Sequence, residues 1–258
     1  RRRRTPPRHL PEPVVKHLFS PLLPRDPLQG PVLALAAHPD DEVIGAGGML
    51  AWHALRGHAV VVVHATDGAK GDPGAREHDI RAVRRREGEE ALARLGVGAP
   101  RHWDLPDGEL PERLSDLTAR IEAVMQEVRP RTLYSFHAGE AHRDHRAIAA
   151  ATAAAARALP ADCRCLLYGV NFTPPGGTLF DVTDVFPRCH RALHAYASQN
   201  AYIDLPGMSE HRCRAAVVNV DVPGVLYGEQ FLDLAPHELA SVHRLQEAFF
   251  RVVQREDA

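Results

Sequence analysis

The sequence predicts an α/β fold, a mostly parallel sheet with helices on both faces in a single domain. Three observations predict it. Short apolar runs alternate with stretches of helical periodicity. The first run, residues 31–36, is too short for a membrane span and leads into a proline and acids, as a central strand does. The 258 residues, 45% of them hydrophobic, bury about three quarters of the unfolded surface, enough for one large core.

Element by element, the pattern reads as strand 32–37, helix 41–56, strand 59–65, helix 76–95, strand 101–104, helix 112–128, strand 132–136, helix 145–158 and strand 165–171. Leu114, Leu117, Ile121, Val124, Met125 and Val128 recur at helical spacing and mark the third helix, while the Ala-rich residues 149–156 give the fourth its propensity. Such alternation implies right-handed crossovers between parallel strands. Beyond residue 171 follow a Pro174-Pro175-Gly176-Gly177 turn, a short strand, and a helix over 186–197. A stretch at 215–222 fits helix and strand equally, and a strand near 226–234 and an amphipathic helix from residue 237 end the chain. Residues 1–30 form a Pro- and Arg-rich N-terminal arm in which residues 14–19 are apolar enough for a short docking helix, and residues 31–258 form the domain.

Ala37-His38-Pro39-Asp40-Asp41-Glu42 stands at the tip of the first strand, where sheets of this kind bind ligands. Pro39 suits a first helical turn, and the acids after it are favoured by the helix dipole. His38 and Asp41 are three residues apart and can face one point, whereas Asp40 and Asp41 diverge by about 100° on a helix. One acid can therefore bind a metal while its neighbour addresses a water. A second cluster, His142-Arg143-Asp144-His145, follows the strand 132–136 and the loop 137–141. Together the clusters offer His, Asp and His, a set suited to a divalent ion such as zinc with one coordination position open for catalysis.

On these residues the chain resembles the zinc-dependent N-deacetylases of the PIG-L/LmbE-like family, which carry an AHPDDE motif and a later HxDH motif. The likeness extends to Thr66-Asp67-Gly68, to Arg84 and Glu87 running into Leu95-Gly96, to Asp107-Gly108 and to Ala197-Ser198-Gln199, and so covers residues 31–231. Arg143 stands where many relatives have proline, and Cys189 near a common lysine. The resemblance implies a Rossmann-like fold and removal of N-acetyl groups, mostly from amino sugars. It implies Zn2+ (or another divalent metal such as Fe2+) on His38, Asp41 and His145, and Asp40 as general base. It implies His142 beside the oxyanion, with Asp144 or another acid orienting its ring and keeping it protonated. Arg84, Asp67 and Asp107 are the implied substrate-binding residues. The implied partner is a small amino-sugar or glycoside substrate, including glycosylated secondary metabolites, with residues 68–79, 137–141 and 171–180 as the discriminating loops.

A formal charge of −2 and a pI near 6.8 give no global attraction to nucleic acid or anionic lipid. Arg1 to Arg4 resemble a twin-arginine or nucleic-acid-binding arm, but no apolar segment follows them and a solvated tail is expected. With neither a signal-peptide core nor a membrane-spanning run, a cytoplasmic location is expected; the sequence leaves oligomeric state open. Cys163, Cys165, Cys189 and Cys213 form no CxxC pair and read as free buried thiols. His53, His58, His194, His211 and His243 have no partner at ligand spacing and read as ordinary residues.

Two rival functions remain. A dinucleotide-binding domain would use Gly45-Ala46-Gly47-Gly48 and Asp67, but the third fingerprint glycine is missing and the acids of residues 40–42 would repel a pyrophosphate. The glycines are read instead as close helix–sheet packing. A non-catalytic metal- or sugar-binding module would leave Asp40 without a task.

Overall fold

Eight strands form one sheet in the computed structural model, which describes residues 20–254; the helix expected at 14–19 lies outside the described residues. The strands are β1 (Leu22–Leu23), β2 (Val32–Ala36), β3 (Val60–Thr66), β4 (Arg101–Leu105), β5 (Thr132–Phe136), β6 (Arg164–Tyr168), β7 (Thr178–Asp181) and β8 (Gly228–Leu234). Their order across the sheet is β1, β7, β8, β6, β5, β2, β3, β4. Neighbours from β6 to β4 are parallel, β8 runs antiparallel to both β6 and β7, and β1 lies parallel to β7.

This order positions the site. From β2 the chain winds outward through β3 and β4, then returns past β2 to lay down β5 and β6 on its other side. The winding reverses between β2 and β5. At such a switch point the loops beyond the carboxyl ends part and leave a crevice, which here is flanked by His38 and by the loop after Phe136. Every residue of β2 is buried, as a strand covered on both faces requires.

Helices α1 (Asp41–Leu55), α2 (Ile80–Leu95), α3 (Leu114–Val128) and α4 (Arg143–Ala154) fill the crossovers; α5 (Phe186–Leu193), α6 (Ala197–Asn200) and α7 (Leu205–Ala216) lie between β7 and β8, and α8 (Leu239–Gln254) follows β8. α1, α2, α5 and α7 pack as one layer, and α3, α4 and α8 as the other. α3 buries Leu117, Ile121, Val124 and Met125, the periodic face read from the sequence. Among the described residues no helix is long and apolar enough to cross a membrane, and all four cysteines are free and buried.

Several elements differ from expectation for local reasons. α2 starts at Ile80 rather than 76, where Asp79 accepts the Ala82 N–H at 3.1 Å. The helix expected over 186–197 breaks at Tyr196 (φ −79°, ψ 61°) into α5 and α6. β6 ends at Tyr168, and α4 stops at Ala154 before a separate 3-10 turn, Ala156–Ala158. α7 was not expected: the ambiguous stretch at 215–222 meets only its last two residues and is otherwise turn and loop. Pro206 sits in its first turn, where a missing N–H is harmless, and Asp204 accepts the Gly207 N–H at 3.0 Å.

The most consequential departure is a break in α1 at Ala46, whose φ and ψ are −146° and 17°. Glu229, from β8, accepts the freed N–H groups of Gly48 (2.7 Å) and Met49 (2.9 Å) and so caps the second half of the helix from outside. Burial pushes Glu229 up to about 7 even though those N–H groups favour its charge. The glycines here allow close approach: a Cβ on Gly45 would stand 2.1 Å from the Tyr168 ring, and one on Gly47 2.7 Å from Cys189 Sγ.

Candidate metal centre

The tip of β2 is pinned by Thr66, whose N–H and hydroxyl both donate to Ala37 O, at 2.9 and 2.8 Å. The chain then turns sharply at Asp40, held at φ 152° and ψ −28°, a region non-glycine residues seldom occupy. The turn sends the adjacent acids to different partners. Asp40 faces Arg84, and Asp41 lies between His38 and His145.

Three donors converge at nearly equal spacing. His38 Nδ1 lies 3.2 Å from Asp41 Oδ2, His145 Nε2 lies 3.2 Å from Asp41 Oδ1, and the two ring nitrogens are 3.3 Å apart. Ligand atoms about 2.0–2.1 Å from a tetrahedral ion stand about 3.3 Å from one another. The far nitrogen of each ring is held by buried carboxylates: His38 Nε2 by Asp107 (3.1 Å) and Asp144 (3.3 Å), and His145 Nδ1 by Glu140 (2.7 Å). An ionised acceptor behind each ring keeps a proton there and turns the near nitrogen's lone pair toward the common point.

A second donor group competes for His38. Its ring gathers with His142 and His145, and also with Asp107, His142 and Asp144, the donor atoms of each group lying within 4.8 Å of one another. The acids of the latter group are already engaged by backbone: Asp107 accepts from Lys70 N (2.9 Å), and Asp144 from Gly108 N (2.7 Å) and Leu110 N (3.1 Å). That side braces the ring. The Nδ1 side, with Asp41 and His145, is the one suited to an ion.

The electrostatics ask for positive charge. Burial disfavours a charged His38, yet Asp41, Asp107 and Asp144 outweigh it and hold the ring well above the ordinary histidine value. Burial likewise opposes His145, and the Asp41 and Glu140 carboxylates push it up to about 9. Asp41 lies well below the carboxylate range: burial works against its charge, but His145 and His38 prevail. A divalent ion in place of two ring protons meets the same demand.

Asp40 behaves differently from its neighbour. Burial raises it to about 6, against the pull of Arg84, whose NH2 lies 3.1 Å from Oδ2. Arg84 is itself buried, donates to Gly68 O at 3.1 Å, and fits because Gly68 and Gly71 carry no side chain in its path. His142 is the N-cap of α4, its Nδ1 accepting the Asp144 N–H at 3.2 Å. Burial, then repulsion from His38 and His145, lowers its pKa. The bond to Nδ1 and the direction of this shift favour a neutral ring with its proton on Nε2 over the protonated ring that was expected. The Asp144 carboxylate orients His38, and the Asp144 backbone fixes His142.

The remaining expected residues brace the site. Asp67 accepts from Ala69 N (3.1 Å) and Asp107 N (3.3 Å) and pairs with Arg81. Asp107 and Arg84 meet His38 and Asp40, and none of these contacts leaves them reaching into open solvent. Arg143, in place of the common proline, is exposed and pairs with Glu112. The sequence reading assigned no role to Glu140, although it lies in the loop already singled out, two residues before His142.

Two hollows are lined by residues close in sequence to the cluster, neither of them by its donors. One of about 390 Å³ is lined by Ile44, one turn beyond Asp41, with Val170, Asn171, Met208 and Arg212. The other, about 290 Å³, is lined by Pro39, Asp67, Arg81, Arg85 and His102. A larger one, of about 680 Å³ at Ala153–Pro236, involves none of the residues above.

Residues 33–156 match the family model described as PIG-L: GlcNAc-PI de-N-acetylase. The chain is 30% identical over 134 residues to the uncharacterized deacetylase YaiS of Escherichia coli K12, covering 50% of this chain and 69% of that protein. Its fold is similar to that of the N,N'-diacetylchitobiose deacetylase from Pyrococcus horikoshii, with a TM-score of 0.68 and 23% identity over 91% of this chain and 96% of the other. It is also similar to the 4-carboxy-2-hydroxymuconate hydratase GalB of Pseudomonas putida KT2440, with a TM-score of 0.67 and 22% identity over 79% and 95% of the two chains. Likeness at these identities shows the fold, and a hydratase on the same fold means the reaction has to be argued from the site.

Proposed function

This chain belongs to the PIG-L family, and from that premise and the donor geometry we propose that it is a zinc-dependent hydrolase removing an N-acetyl, or longer N-acyl, group from an amino sugar. The observation that carries the reading is the triangle of His38 Nδ1, Asp41 and His145 Nε2, with sides of 3.2 to 3.3 Å and a buried carboxylate behind each ring. In this reading His38, Asp41 and His145 are the metal ligands. A divalent ion held there supplies Lewis acidity and makes water a stronger acid, toward a pKa of about 7.

The chain's own residues divide the proton traffic. Arg84 occupies Oδ2 of Asp40 and leaves Oδ1 to accept the proton of the attacking water. A carboxylate at about 6 is ionised at neutral pH yet basic enough to share that proton. His142 offers its Nε2–H to the oxygen on which negative charge develops, and its backbone-fixed tautomer holds that proton outward. Protonated Asp40 then returns its proton to the departing amine. The products are a carboxylate and a free amine.

An N-acetylglucosaminyl glycoside is the substrate class in this reading, supported by the amino sugars named for the family and for the chitobiose deacetylase. Arg84, Asp67 and Asp107 then act on it by bracing Asp40 and His38 and the loops around them, more than by contacting its hydroxyls. The dinucleotide alternative loses its footing because Glu229 already occupies the N–H groups of Gly48 and Met49 that a pyrophosphate would need. Asp40, buried and aimed away from the donor triangle's bracing contacts, favours hydrolysis over a passive metal module.

The test is elemental analysis of the purified chain together with acetate and amine release from a panel of N-acyl amino sugars. One divalent ion per chain and a new primary amine are expected. No stoichiometric metal, and no amine even with added zinc, would remove the reading.

A further inference from the structure

We infer that Glu140 is a positioning residue through which metal occupancy and the conformation of the loop after β6, residues 169–174, become one coupled equilibrium; the inference rests on the metal site proposed above. Glu140 is fully buried between β5 and α4. Its Oε2 lies 2.7 Å from His145 Nδ1. The same carboxylate accepts the N–H groups of Val170 (3.1 Å), Asn171 (3.2 Å) and Phe172 (3.0 Å). Three successive N–H groups folded around one anion form a nest. A carboxylate has about four lone-pair sites, and three amides with one ring N–H fill them. Ligand and loop therefore draw on a single acceptor.

The other side of the loop is held differently. Arg212, from α7, donates to Gly169 O (2.8 Å) and Val170 O (3.3 Å), and His137 Nε2 meets Phe172 O at 2.9 Å. Those contacts fix the carbonyls without touching the donor triangle, and His137 Nε2 also stands 3.5 Å from Glu140 Oε1. The amide side is fixed by the group that also sets the ring plane and tautomer of His145. An ion at His145 Nε2 requires that tautomer, and Glu140 keeps its bearing on Nδ1 only while the loop amides hold it. Linkage is reciprocal: whatever ordering of the loop does for the ion, the ion does for the loop by the same factor. Because Val170 and Asn171 also line the hollow beside Ile44, the same carboxylate shapes one wall of that hollow.

The experiment follows hydrogen–deuterium exchange at residues 169–174 in the full chain with and without zinc, beside zinc affinity measured by competition with a chelator. Zinc should slow exchange at residues 170–172. Glu140→Gln should lower zinc affinity about 10–100-fold and leave loop exchange fast whether or not zinc is added. Asn171→Pro deletes one donor to Glu140 without touching a ligand. It should still weaken zinc about fivefold, which a loop that merely covered the site would not do, and it stays informative if Glu140→Gln does not fold. Wild-type affinity in Asn171→Pro, or exchange at 170–172 that ignores zinc, would overturn the inference. Coupling observed without acetate release would uphold Glu140 and remove the hydrolase reading instead, so the two failures are distinct.

Discussion

The backbone N–H of Asp144 points at Nδ1 of His142 across 3.2 Å, and this one bond decides which face of the imidazole carries the proton. Burial and two neighbouring histidines lower its pKa, which favours the neutral ring, and the bond leaves Nε2 as the donor. A neutral donor does not switch off as pH rises.

His142→Asn, which keeps an acceptor at the N-cap, should lower kcat by roughly 10²–10³ with metal content unchanged. Above about pH 7 the pH profiles of wild type and variant should run parallel. A falling wild-type limb that vanished in the variant would restore a protonated ring.

Asp40 must be ionised to accept a proton, so kcat/KM should rise with pH through its pKa, about 6. Arg84 holds that value down. Arg84→Met should therefore move the acid limb to higher pH by about one unit or more, and Arg84→Lys by less. A bound cation shifts every limb down together, so the comparison between proteins is the measurement. Superimposable limbs would separate Arg84 from the base.

Glu229 gives a stability signature. Its folded pKa, about 7, lies above the ordinary 4.5, so the folded state binds the extra proton and stability falls as pH rises from 4.5 to 7. The size is at most about 3 kcal/mol. Asp40, also raised, adds a slope of the same sign to both proteins, so urea unfolding across that window should show a steeper fall in wild type than in Glu229→Gln, and equal slopes would reassign the difference.

Gly45→Ala places a Cβ 2.1 Å from the Tyr168 ring and should cost about 1–3 kcal/mol. Tyr168 lies 4.6 Å from Phe136, which stacks on His145 at 4.2 Å, so zinc affinity should fall as well. Tyr168→Leu in the same chain should restore part of the loss, and strict additivity would show that the two residues do not compete for space.

The sequence made the centre of the fold legible because β2, β3, β5 and β6 are buried runs whose spacing repeats. The reversed direction of β8 and the two-residue strand Leu22–Leu23 carry no periodic signal of their own, and only pairing defines them. α7 hid because Pro206 and Gly207 weaken the helical signal at its start, which the Asp204 cap makes good. In the site, the spacing of His38 to Asp41 and of His142 to His145 foretold which side chains share a face. The partner of each ring's far nitrogen did not follow, because Asp107 reaches His38 from a distant loop and Glu140, five residues before His145, stands at no spacing that marks it. Nor did the φ of Asp40, on which the division between the two adjacent acids depends.

The interruption of α1 at Ala46 also limits how this centre can be moved to another protein. Residues 41–45 hang from the tip of β2 and the Tyr168 ring, whereas residues 47–55 hang from Glu229, 181 positions away from Gly48. A graft of β2 and α1 alone would leave that carboxylate behind. The hydrogen-bond ladder would then close through Ala46 into one straight rod, and Asp41 would swing off its bearing on His145. The smallest transplantable unit is thus discontinuous, the hexapeptide with its helix, the segment from Glu140 to His145 and a strand from the far end of the chain, and any scaffold meant to host it must already own the sheet that joins them.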